Sequence, residues 1–258
     1  TDHRTVSSMA RPRTLGSSGG ALAVAHPDID PVVPMSARGA SADRALGATR
    51  PRLRGWIHGA AAPVAVVVAV LLARQADVGA PRLSVVVFGV GLVGLYAISA
   101  IYHVPKWPAP VRRLLGRVDV AMIQLFIAAS FTPVAVHALH GAWRTWSLVV
   151  AWALAIIGAA VAASPLKGPR WLGVAGYASF GALAAAPLLR AVQTLPLFGT
   201  VLLVIGALAY LGGGIIYARQ RPNPWPQWFA FHEVFHVMVV LASAVHVAAI
   251  WRYVLPLA

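Results

Sequence analysis

The chain has 258 residues, 59% of them hydrophobic and only 11% charged, against about 25% charged in an average soluble domain. Seven Asp and Glu stand against twenty-one Lys and Arg, a formal net charge of +14, and there is no cysteine. That balance excludes an ordinary soluble globular fold. The missing thiols exclude disulfides, thiolate metal sites and cysteine nucleophiles, so any metal must be held by His, Asp or Glu.

Residues 1–50 are rich in Ser, Gly, Pro, Ala and Arg, with no apolar run of membrane length. A disordered cytoplasmic tail is expected there. The first strongly apolar stretch begins only near Ile57, so a signal peptide is not expected, and Met9 or Met35 could mark the true start. From Ile57 onward, seven apolar segments fall at about 57–73, 83–103, 118–139, 143–163, 171–189, 195–217 and 232–255. Each is near the roughly 20 residues that a helix needs to span a bilayer. Residues 51–258 are therefore expected to form an all-α membrane protein, a seven-transmembrane-helix bundle. Trp56, Trp107, Trp143, Trp171, Trp225 and Trp251 read as interfacial anchors. Pro63, Pro133, Pro187 and the Gly212-Gly213-Gly214 run lie inside these helices, where neighbouring helices can accommodate them.

Lys and Arg set the orientation. Eight arginines lie in the tail, and the gaps after the second, fourth and sixth spans add eight cationic residues, so sixteen fall on one side and five on the other. Cytoplasmic loops carry the excess, which predicts the N-terminus in the cytoplasm and the C-terminus outside. The positive charge thus has a membrane explanation, and no nucleic-acid partner is expected.

The scarce polar residues then converge. Outside the tail and the short loop at Asp77, the only acidic residues are Asp119 and Glu233, and ionisable groups at membrane depth point to function. His103 closes the second span, Asp119 opens the third, and His232 and His236 open the seventh, all at the cytoplasmic end. His232 and His236 share a helix face one turn apart, the spacing for two imidazoles on one ion. Ser99 and His103 repeat that spacing. Three neutral imidazoles with one position left for water form an open zinc site of the catalytic type, with Asp119 placed to hold the water or orient a ligand.

The segments "SAIYH" (99–103), "RVDVAMIQLFIAASFTPV" (117–134) and "HEVFHVMVVLASAVH" (232–246) resemble the signature blocks of the hemolysin III family. That family is the bacterial branch of the progestin and adipoQ receptors, more distantly related to the alkaline ceramidases. The resemblance covers roughly residues 50–258. It implies a seven-helix bundle with the N-terminus inside and zinc near the cytoplasmic face, bound by His103, His232 and His236. It also implies that Asp119 acts through the zinc-bound water. Ser99 fills the serine position of the S-x-x-x-H motif and joins Asp119 as a candidate catalytic residue. Val120 and Ala121 stand where the family often has polar residues.

His232-Glu233-Val234-Phe235-His236 also matches the H-E-x-x-H of zinc proteases. No acidic residue follows Glu233 to act as a further ligand, so Glu233 is read as a helix N-terminal residue favoured by the dipole. His58 is expected at the interface, His137 and His140 solvated at the outer end, and His246 buried and hydrogen-bonded. The Trp-rich segment "PNPWPQWFAFHE" is read as an interfacial loop. The function expected is that of a plasma-membrane zinc protein, a hydrolase of lipid amide or ester bonds with membrane lipids as partners. The alternatives are a receptor-like regulator with structural zinc and a pore-forming or cytolytic protein.

Overall fold

A computed structural model describes residues 50–164 and 186–257. The expected fifth span, 171–189, lies outside these residues except at its C-terminal end, and the expected tail lies outside them entirely but for Arg50. The described chain is all helical. Six helices are long and apolar enough to cross a membrane: α1 (Trp56–Gln75), α2 (Ala80–His103), α3 (Ala109–Ala138), α4 (Gly141–Ala163), α5 (Leu197–Arg219) and α6 (Phe231–Ala249). A π-helical turn, Ile250–Val254, and a 3-10 turn, Leu255–Leu257, extend α6 to the end of the described chain.

The helix boundaries have local causes. Pro81 sits in the first turn of α2 and Pro110 in that of α3, where the missing N–H is not needed. α5 ends at Gln220, in the left-handed conformation. One boundary departs from the sequence reading. α3 begins at Ala109, nine residues before the expected 118, so Asp119 lies inside the helix and not at its start. The apolar run stops at Arg117, but the helix does not. Leu and Arg favour the helical backbone, and Arg112 and Arg113 are exposed, so the helix continues past the apolar run with its charged heads free to meet the membrane surface.

Successive helices run antiparallel and pack as neighbours from α1 to α4; α5 packs on α6, α6 returns to α1, and the π turn meets α3 and α5. In lipid, close van der Waals approach holds helices together more than apolar burial does. Gly89 faces Ala69 between α1 and α2, and Gly91 faces Ala129 between α2 and α3. Phe88, Leu92, Tyr96, Phe126 and Val239 fill the buried interior beside them. Two side-chain links add polar contacts: Tyr210 with Ser243 at 2.7 Å joins α5 to α6, and Trp152 Nε1 donates to Thr132 Oγ1 at 3.1 Å between α4 and α3. Many large apolar side chains remain on the outside, among them Val64, Val67, Ile156, Ile157, Leu208 and Leu211. That surface suits lipid. As a result, the starts of α1, α3 and α6 and the ends of α2 and α5 share one end of the bundle.

Candidate metal centre

The site is built at that shared end. His103 is the last residue of α2, and His232 and His236 occupy the first two turns of α6. All three are buried, and one ligand atom from each lies within 4.8 Å of the others. Nε2 of His232 and Nε2 of His103 face each other at 3.1 Å. Asp119 Oδ2 is 3.6 Å from His103 Nε2, with its side chain 17% exposed. Ser99 is buried one turn before His103. The four residues singled out by depth along the sequence are therefore gathered in space, with Ser99 on the turn below.

The donor set suits a metal ion. An ion held by imidazole nitrogens at 2.0–2.1 Å in tetrahedral geometry needs those nitrogens roughly 3.3 Å apart. The His103–His232 pair is already near that spacing, and only one proton can lie between two facing imidazole nitrogens. Among the described residues, His236 Nδ1 is buried without a hydrogen-bond partner. Three buried imidazoles whose ligand atoms lie within 4.8 Å of one another, one of them with an unpartnered nitrogen where a buried polar atom is normally satisfied, form a centre that can hold a metal ion.

Glu233 is accounted for differently. It is fully buried; its Oε2 accepts the N–H of Ala230 at 2.8 Å, and its Oε1 accepts from Arg54 Nε at 2.6 Å. The carboxylate is occupied as the cap of α6 and as the counter-ion of Arg54. The segment before α1 is drawn to the same place by Arg52 N–H donating to Gln227 O, by Leu53 N–H donating to Trp228 O, and by the Arg52 guanidinium over the Trp228 ring. Trp225 and Trp228 are exposed, as expected of an interfacial loop.

Two expectations about histidines are corrected. His58 is not interfacial: it is 2% exposed and stacks on His236, with ring centroids 3.9 Å apart and planes 8° apart. The strap of residues 52–55 pulls the first turn of α1 inward against α6, which turns His58 away from the surface. It lies at the same end as the other three, a signal that the neighbouring Trp56 masks. His137 is not solvated either. α3 runs on to Ala138, so His137 is 4% exposed and faces Ser84 Oγ of α2 at 3.4 Å. His140 is exposed as expected, and His246 Nε2 lies 3.1 Å from Leu203 O.

Fold and site together define a multi-pass helical membrane protein with a buried three-histidine centre at one end of its bundle. Residues 46–247 match the family described as haemolysin-III related, and the chain belongs to that family. It is 30% identical to the Heptahelical transmembrane protein ADIPOR2 of Oryza sativa subsp. japonica, over 67% of this chain and 85% of that protein. It is 26% identical to Hemolysin-3 of Bacillus cereus, over 75% of this chain and 85% of that protein. Identity to the human Monocyte to macrophage differentiation factor is 24%, over 73% of this chain and 78% of that protein. The bacterial plasma membrane is the expected location.

Proposed function

We propose that the protein is a zinc-dependent hydrolase of lipid amide or ester bonds, working at the cytoplasmic side of the membrane. The observation that carries this reading is the gathering of His103, His232 and His236 within 4.8 Å of one another, with Asp119 at 3.6 Å from His103. In this reading the three histidines hold the ion. When bound, zinc supplies a Lewis acid that polarises a carbonyl and makes water nucleophilic near neutral pH. Asp119, at the edge of the triad and partly exposed, takes a proton from the attacking water and returns it to the leaving amine or alcohol. Ser99 supplies a hydroxyl one turn from His103 to orient the substrate. An apolar groove of about 450 Å³ between the start of α1 and the end of α2, lined by Trp56, Gly59, Ala100, Ile101 and Val104, offers an acyl chain a way in.

A second reading has its own support. His103 and His232 lie 129 residues apart, so an ion between them would staple α2 to α6, as in a receptor-like regulator without turnover. Metal analysis of the purified protein with a panel of fluorescent lipid amides and esters separates these readings. The hydrolase reading expects about one zinc per chain, lost in His232→Ala/His236→Ala, and turnover abolished in Asp119→Asn with zinc retained. Zinc without turnover in the unaltered protein would favour the staple. Absence of metal from a folded protein would end both.

A further inference from the structure

His58 is a fourth buried histidine, packed against the triad. A metal-binding histidine almost always has its ring fixed by a hydrogen bond from its second nitrogen to a carboxylate, carbonyl or water. His236 lacks that restraint at Nδ1. Its ring instead meets the His58 ring face to face, at 3.9 Å and 8° from parallel. His58 is itself held: its ring lies 4.9 Å from that of Tyr96 on α2, and it sits in the first turn of α1, just after the strap that hydrogen-bonds to Gln227 and Trp228.

The stack also decides against His58 as a ligand. A histidine binds a metal through a lone pair in the plane of its ring. Two nearly parallel rings 3.9 Å apart direct their lone pairs into separate, parallel planes, which do not meet at one ion. His103 and His232 show the opposite arrangement, with rings 76° apart and nitrogens facing each other.

We infer that His58 is a positioning residue of the metal centre: its ring stacks on His236 and fixes the orientation in which His236 binds the ion. This rests on the reading that the triad binds zinc. The face of the ring does the work, so another flat ring should serve. Zinc affinity is measured by chelator competition on the full chain in detergent, for the unaltered protein, His58→Ala and His58→Phe. Melting temperatures are recorded with zinc and with chelator. The expected result is a roughly 10- to 100-fold loss of zinc affinity in His58→Ala, the range for groups that orient metal ligands. His58→Phe should stay close to the unaltered protein. The zinc-induced rise in melting temperature, which follows affinity, should shrink in the alanine variant alone. A merely structural role would instead lower both melting temperatures equally and leave affinity unchanged, which overturns the inference. Equal loss in the alanine and phenylalanine variants overturns it too, because the nitrogens would then be the active feature. If the unaltered protein binds no zinc, the triad reading itself falls.

Discussion

Gly55 shows how closely the backbone is drawn over the site. It is the N-cap of α1, in the left-handed region at φ 84°, and a Cβ there would stand 2.5 Å from the Cβ of His103. A side chain meets two penalties: a backbone conformation costly for L-residues and a clash with a metal-centre histidine. Gly55→Ala is expected to cost about 1–3 kcal/mol of stability and, on the proposed reading of the triad, to lower zinc occupancy by displacing His103, which thermal unfolding and metal analysis would detect together. A glycine before a tryptophan carries no such message along the chain; its requirement appears only when α1 and α2 are docked. The triad histidines were legible because period and depth both act along the chain. His58 was not, because a stack between α1 and α6 is a relation between helices far apart in sequence.

The start of α6 concentrates several of these demands in one turn. Its cap is the Glu233 carboxylate, which also balances Arg54 from the segment before α1. Removing one partner of a buried ion pair leaves the other charge uncompensated. Glu233→Met is therefore expected to lower stability by about 3–5 kcal/mol. Arg54→Met/Glu233→Met should recover most of that loss, and a double-mutant cycle of melting curves would check it. No recovery would mean that the cap, and not the pair, carries the effect. The sequence placed Glu233 correctly at a helix N-terminus but left Arg54 among the topology-determining arginines. Which arginine of the tail turns inward depends on the strap to Gln227 and Trp228, a pairing without periodic signature. The nine extra residues of α3 went unseen for a related reason: hydropathy marks where lipid ends, not where main-chain hydrogen bonding ends.

At the level of the whole molecule, the alternation of helices puts the described cations Arg50, Arg52, Arg54, Lys106, Arg112, Arg113, Arg117, Arg219 and Arg221 at the end that holds the histidine triad. Arg74, Arg82, Arg144, Arg190 and Arg252 lie at the other. By the positive-inside rule this imbalance predicts the first end in the cytoplasm. Because the chain has no cysteine, single cysteines can report on this. Ala142→Cys in intact cells is expected to react with a membrane-impermeant thiol reagent, whereas Lys106→Cys should react only after lysis; the reverse pattern would invert the orientation. Span positions were readable because lipid imposes one length on every crossing helix, whereas the way those helices surround one another was not.

The distance along the chain between His103 and His232 has a consequence for biogenesis. A ribosome has made most of the protein before the second and third imidazoles exist, and α6 must be inserted beside α1 and α2 before they can meet the first. A chain cut short before α6 would retain one imidazole of the triad. On the proposed reading, metal acquisition therefore waits for the insertion of α6, and a loaded centre marks a molecule in which α6 has found its place beside α1 and α2.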